Sequence, residues 1–391
     1  MDVKKKSLLL HERLKGKIEV KPRVKIRTME DLSVAYTPGV AEPCLAIAND
    51  VSLSYLYTRR HNLVAVITDG TAILGLGDIG PEAGMPVMEG KALLFKTFGS
   101  VDAIPLGLKT KDTDEIVKTI QTIACSFGGI NLEDIAAPRC FDIEKRLRQT
   151  LDIPVFHDDQ HGTAIVVAAA LINAIKLSGR QPNQLRVVIN GAGAAGITIA
   201  KFLGQFGIQH ITVCDKLGIL SPDDSRLNHY QHEVALKTNP ASIKGTLSDA
   251  LQNADVFIGV SGPHCVTKEM IRSMDPYPIV FSMANPIPEI AYEDAKDAGA
   301  FIVGTGSSKY PNQINNVLAF PGIFRGALDV NASEINLDMM KAAAVALANS
   351  VPEKELSPTN IIPQAIQLSV HQAVASAVKR AAVATNVARV Q

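Results

Sequence analysis

The 391-residue chain has no tryptophan, only five cysteines and no long basic block. Its 39 basic and 39 acidic residues leave a formal charge of zero. Nucleic acid and anionic membrane therefore find no electrostatic footprint. The cysteines (Cys44, Cys125, Cys140, Cys214, Cys265) are odd in number, scattered and without a CxxC pair. That pattern argues against a zinc site or disulfide framework and predicts a reducing, cytoplasmic setting. The N-terminal stretch has only three consecutive leucines before charges return, too few for a signal sequence. Apolar runs elsewhere are too short for a membrane span. No internal repeat or low-complexity linker is present. A soluble cytosolic protein is expected, with neither nucleic acid nor membrane as partner.

What is present is the composition of an ordinary globular protein, 47% hydrophobic and 20% charged. This length favours two domains. The segment VFHDDQHGTA (Val155 to Ala164) packs five polar side chains between a short apolar strand and an all-apolar helical run, AIVVAAALINAIK. Side chains at a strand end before a helix sit where α/β proteins bind ligands and metals. Asp158 and Asp159 repel each other there unless a cation or strong donors neutralise them; the plainer reading is an acidic first turn favoured by the helix dipole. A second acidic pair, Glu133-Asp134, ends the strand in INLEDIAAP about twenty-five residues earlier. Together the two pairs can offer carboxylates to one hard divalent ion, Mg²⁺ or Mn²⁺. Two independent solvated turns are the alternative.

LRVVINGAGAAGITIAKFL carries an apolar strand directly into Gly191, Gly193 and Gly196, which open a helix at Ala194-Ala195. The first glycine makes the turn, the second admits a pyrophosphate and the third lets helix and sheet pack closely. Asp215 ends the next strand, 24 residues after Gly191, where a carboxylate binds the ribose hydroxyls of NAD. Neighbouring Lys216 leaves NADP open. In PVMEGKALLFKTFG, read as a helix from Pro86 to Gly99, the period puts Lys91 in the apolar stripe with Val87, Leu94 and Phe98. Such a lysine either snorkels to the surface or loses its charge by desolvation and becomes a base. Tyr36 lies by the rigid turn TPGVAEP, a position more often structural than functional. Asn285 ends the strand IVFSMANP, and Asn315 and Asn316 lie in an uncharged segment. A crevice-facing amide suits a substrate carboxylate.

Taken together, SVAYTPGVAEPC, TDGTAILGLGDIGPEAGMPVMEGKALLFK, NLEDIAAPRCF, VFHDDQHGTA, SMANPIPE and PNQINNVLAFPGIFRGAL resemble the malic enzymes, most closely their shorter bacterial members. The resemblance covers nearly the whole chain in order. It implies Tyr36 as general acid, Lys91 as general base and Asp158 as the carboxylate that holds the base. It also implies Glu133, Asp134 and Asp159 as ligands of Mn²⁺ or Mg²⁺, and Asn285 and Asn315 as substrate contacts. L-malate would be oxidised to oxaloacetate and decarboxylated to pyruvate, with reduction of NAD in preference to NADP. Three departures stand out: Ala72 replaces an arginine of the larger eukaryotic members, TGSSK (with Ser307 and Lys309) replaces the frequent TGRSD, and the eukaryotic regulatory extensions are missing.

The expected fold is α/β: an N-terminal α/β substrate and metal domain over residues 1–160, then a doubly wound Rossmann-type domain with C-terminal helices over 161–391, assembled as a homodimer. The competing readings are a metal-dependent oxaloacetate decarboxylase without net redox, an amino-acid dehydrogenase without need of the metal carboxylates, and a dinucleotide-sensing protein, which would be expected to have lost Lys91, Tyr36 or a metal ligand.

Overall fold

Two parallel sheets organise the chain, in a computed structural model that describes residues 2–390. The first contains β1 (Leu63–Thr68), β2 (Asp102–Gly107), β3 (Gly129–Leu132) and β4 (Val155–His157), in the order β2-β1-β3-β4. The second contains β5 (Arg186–Asn190), β6 (His210–Asp215), β7 (Gly218–Ile219), β8 (Val256–Gly259), β9 (Ile279–Ser282) and β10 (Ile302–Thr305), in the order β10-β9-β8-β5-β6-β7. All its pairings are parallel except the short β6–β7 hairpin. Each sheet reverses its strand order once, between β1 and β3 and between β5 and β8. Ligand crevices of open α/β sheets form at the carboxyl ends beside such reversals. Both motifs singled out in the sequence lie there: Glu133-Asp134 follows β3, and Gly191 follows β5.

The strands are near-continuous apolar runs because helices cover both faces of a parallel sheet. β2 departs from this expectation: it is an edge strand and only half-buried. The helix carrying Lys91 starts at Pro81 rather than Pro86 and ends at Gly99, so Pro86 lies inside it. A proline in the first turn removes no intrahelical bond, and Pro81 fills that place. The buried face is Met88, Lys91, Ala92 and Phe95, one step round from the stripe read in the sequence. The N-terminal helix spans Val3–Leu14 and is closed by Lys15 in a left-handed conformation.

The two sheets share one continuous apolar core. The Thr163–Ser178 helix lies at its centre with ten buried residues. With the turn before it, this helix forms a 21-residue stretch, Asp158–Ser178, long and apolar enough to cross a membrane. Its apolarity matches its place in the core, since every residue from Ala164 to Leu171 is buried. Toward the C-terminus, the Phe320–Leu328 helix returns to the first sheet. Phe324 meets Phe95 at 5.2 Å and Phe156 at 5.9 Å between ring centroids, both edge-on. This packing also carries the preceding Asn315-Asn316 turn toward the end of β4.

The arm before β1 behaves differently. Its helices Val3–Leu14, Met29–Ala35 and Ala41–Asn49 contain no buried residue. Leu8, Leu14, Met29, Val34 and Leu45 are each at least half exposed. Lys17 ties the arm to the lysine helix: its backbone N–H donates to Glu89 Oε2 at 2.8 Å and its Nζ to the Pro86 carbonyl at 2.6 Å.

Candidate active site

Four carboxylates and one ammonium meet at the carboxyl ends of β3 and β4. Glu133 and Asp134 leave β3, with Asp134 in a left-handed conformation (φ 53°) that turns the chain sharply. Asp158 and Asp159 open a π-helical turn, Asp158–Gly162, directly after β4. Because β3 and β4 pair in register with Leu132 opposite His157, the two acidic pairs emerge side by side. Oxygens from Glu133, Asp134 and Asp159 lie within 4.8 Å of one another. The Asp134 N–H donates to Asp159 Oδ2 at 2.8 Å, which locks the two turns together. Asp134 Oδ2 is buried without a hydrogen-bond partner. Three converging carboxylates, one of them with an orphaned oxygen, fit a hard divalent cation such as Mg²⁺ or Mn²⁺. Burial, and then the charge of Asp159, push the Asp134 carboxyl up to about 8. Burial likewise raises Glu133 well above the usual carboxylate range.

Lys91 enters this cluster from the side. It is 8% exposed, bonds Asp158 Oδ2 and lies 2.9 Å from Glu133 Oε1. Its Nζ stands 4.1 Å from the Phe320 ring centroid. The sequence offered a snorkelling lysine or one whose pKa falls on desolvation, and the structure shows neither. Burial does act to lower its pKa, but Asp158 and Glu133 outweigh that and hold the ammonium above its ordinary value. Asp158 is fully buried and also accepts from Asn316 Nδ2 at 2.6 Å. A Cβ on Gly162 would fall 1.9 Å from Asp158 Oδ1, so only glycine lets this carboxylate fold back against the turn.

The second crevice is a cavity of about 750 Å³ lined by Gly191, Gly193, Asp215, Lys216, Ser261 and Gly262, among others. Gly191 has φ +122° and its absent side chain admits the Val260 carbonyl; a Cβ on Gly196 would strike the Gly191 oxygen at 1.7 Å. Nothing lies within 4 Å of where a Gly193 Cβ would be, which leaves room for a ligand. Ala194 and Ala195 begin the following helix, Ala194–Leu203, whose free N–H groups suit a pyrophosphate. Asp215 accepts from the Leu217 N–H at 2.7 Å through Oδ1. Ala137, four residues beyond Glu133, also lines this cavity, so the acid cluster and the dinucleotide crevice adjoin.

The remaining residues singled out in the sequence are placed unevenly. Tyr36 follows the Met29–Ala35 helix, is 67% exposed, and has no hydrogen bond to its hydroxyl among the described residues. Asn285 is exposed after β9, its backbone oxygen 2.4 Å from where a Gly75 Cβ would lie. Asn315 caps a short turn by accepting from the Val317 N–H, and it is Asn316 that reaches the acid cluster. Ser307 and Lys309 form a local turn, with Lys309 exposed.

One residue escaped sequence reasoning. Glu289 has no exposed surface and accepts from the Ser261 and Ala284 N–H groups at 2.9 and 3.1 Å and from Ser282 Oγ at 3.1 Å. It joins the loop after β8, which lines the dinucleotide cavity, to the loop after β9, which carries Asn285. A lone glutamate in NPIPE gives no periodic or spacing signal for this.

A parallel-sheet dinucleotide domain set beside a buried lysine–carboxylate cluster defines a two-domain nucleotide-dependent oxidoreductase. Comparison with known proteins narrows the class. Residues 15–148 match the malic enzyme N-terminal domain and residues 160–383 the malic enzyme NAD binding domain. The chain is 55% identical to the bifunctional malic/malolactic enzyme of Bacillus subtilis, covering 100% of this chain and 95% of that protein. It is 53% identical to the NAD-dependent malic enzyme of Geobacillus stearothermophilus, covering 100% and 81%. The crystal structure of the NAD-dependent malic enzyme from Thermotoga maritima superposes with a TM-score of 0.92 at 48% identity, covering 97% and 99%. The chain belongs to the malic enzyme family, a family of decarboxylating oxidoreductases with NAD- and NADP-dependent members.

Glu289→Gln keeps the shape but turns one of the two accepting oxygens into a donor and leaves the other uncharged, so one loop N–H loses its acceptor. The KM for the dinucleotide should rise by about tenfold, with kcat changed much less, since bonds to a charged acceptor exceed neutral ones by roughly that factor. Steady-state kinetics at varied cofactor check this; an unchanged KM contradicts it.

Proposed function

We propose that this protein oxidises L-malate and decarboxylates the resulting oxaloacetate to pyruvate and CO₂, reducing NAD⁺ or NADP⁺. The observation that carries the reading is the Lys91–Asp158–Glu133 junction, set against a three-carboxylate pocket beside the dinucleotide cavity. Mn²⁺ or Mg²⁺ held by Glu133, Asp134 and Asp159 would supply electrophilic stabilisation of the charge left when CO₂ departs, and would offset the carboxylate charge that keeps Lys91 protonated. A dinucleotide held by the cavity of Gly191, Gly193 and Asp215 would supply the acceptor for the C2 hydride.

Within this scheme Lys91 receives the C2 hydroxyl proton through Nζ, and Asp158 and Asn316 fix the direction from which it does so. Asn285 and Asn315 present neutral amide donors to the substrate carboxylates, the role left open by Ala72. Tyr36 donates a proton to C3 of the enolate. Since it is largely exposed in its own chain and sits on an arm with an uncovered apolar surface, the reading gives it to a neighbouring subunit: two chains pair through the arms and exchange Tyr36. Asp215 keeps one carboxylate oxygen clear of the Leu217 N–H for a ribose hydroxyl, which favours NAD, while exposed Lys216 leaves NADP accessible.

The direct test is reduction of NAD⁺ and NADP⁺ with L-malate and Mn²⁺, with pyruvate and lactate assayed in parallel. Reduced cofactor and pyruvate in equal amounts, dependent on the metal, is the expected outcome, with NAD⁺ the faster. Pyruvate formed from oxaloacetate without any cofactor reduction from malate would point instead to a decarboxylase without net redox.

Exchange of Tyr36 has its own test. Tyr36→Phe and Lys91→Ala proteins, each inactive alone, should regain activity when unfolded and refolded together, because a mixed pair contains one intact site. If Tyr36 serves its own chain, no mixture recovers activity.

A further inference from the structure

Asp158 and Asp159 face the acid cluster, but the next two residues of the same turn, Gln160 and His161, line a different cavity. It holds about 510 Å³, within the size range of small-molecule pockets. Its other walls come from the Arg139–Thr150 helix of the first sheet and the Ala194–Leu203 helix of the second, so it lies at the joint between them. Phe141, Ile197, Phe202, Leu337 and Met340 make the lining predominantly apolar.

Two of the polar groups left over in it are donors. Gln160 is 3% exposed, and its Nε2 is buried without a hydrogen-bond partner. Lys145, on the same wall, has no acidic partner among the described residues. The other cations there are already satisfied: Lys201 pairs with Glu233 at 2.9 Å, and Arg148 with Glu334 at 3.4 Å. One oxygen of the lining carboxylate, Glu144 Oε1, is taken by His161 Nε2 at 2.7 Å. A buried amide donor without an acceptor is unfavourable unless something supplies one. An ammonium and an amide above apolar walls therefore call for an anionic acceptor on an apolar body.

We propose that this cavity is a second small-molecule site, taking an amphipathic organic carboxylate, with its head at Lys145 and Gln160 and its chain against Ile197, Phe202 and Met340. The occupant touches the back of the turn that carries Asp158 and Asp159, and the side of the helix that begins directly after Gly193 of the glycine-bordered cavity. Its binding is therefore linked to that of the cofactor, and linkage acts equally in both directions. The site itself needs no turnover, so its failure would leave the malate reading standing.

Calorimetric titration of the full chain with octanoate, octan-1-ol and octylamine tests it. Octanoate should bind saturably at one site per chain, about tenfold or more tighter than octan-1-ol, since a charge-assisted acceptor is replaced by a neutral one. Octylamine should not bind. Lys145→Glu should lose about tenfold in octanoate affinity without changing that for octan-1-ol. Gln205→Trp, which narrows the mouth, should weaken both. Both positions are exposed, and thermal melting confirms that each variant stays folded. With octanoate saturating, the Kd for NAD⁺ should shift by about fivefold, the low end of typical coupling. No saturable octanoate binding, equal affinity for octanoate and octan-1-ol, or an unaffected Lys145→Glu variant would overturn the site. An unchanged Kd for NAD⁺ would overturn the linkage.

Discussion

A buried surplus of negative charge governs the centre of this protein. Glu133, Asp134, Asp158 and Asp159 converge where two paired strands end, and Lys91 is the one ammonium among them. Charges removed from water are tolerated only when paired, and one lysine cannot pair four carboxylates. The protein responds by raising the carboxyls of Glu133 and Asp134 and by holding the Lys91 proton. A divalent cation would relieve the same imbalance, and Asp134 Oδ2, buried without a partner, is free to accept one. The parallel register of β3 and β4, the glycine at position 162 and the helix that brings Asn316 to Asp158 all serve to keep these groups together.

The arrangement joins two sheets that each reverse strand order once. One reversal collects acids and the other opens a glycine-lined cavity, and Ala137 connects them. Glu289 extends the same economy of contact: a single buried carboxylate fixes one loop on the dinucleotide side and one that carries Asn285. The chain thereby ties a loop that lines the glycine-bordered cavity to the loop of Asn285 without a large interface between them.

Much of this was legible in the sequence because the signals are local. HDDQH before an apolar helix, Glu133-Asp134 at a strand end, and a strand running into Gly191, Gly193 and Gly196 each occupy a few consecutive residues whose period or turn chemistry is plain. What depended on distant partners was not legible. The charge on Lys91 is set by residues 42 and 67 positions away, so desolvation alone gave the wrong direction. The helix start was misplaced because Pro81 and Pro86 both suit a first turn, and only packing distinguishes them. Asn315 and Asn316 are equivalent by composition; the turn geometry gives one a capping role and the other the contact with Asp158. Tyr36 matched the family by its neighbours in sequence, yet its own chain leaves it largely exposed, which no local pattern reveals.

Glu133, Asp134 and Asp159 would hold a divalent ion beside Lys91, and on that ion the proposed chemistry depends. Electron paramagnetic resonance of free Mn²⁺, titrated into the full chain and into an Asp134→Asn variant, measures this without reference to turnover. One saturable Mn²⁺ per chain, lost in the variant, is the result the account requires. Absence of saturable binding in the native chain, or equal binding by the variant, would contradict it.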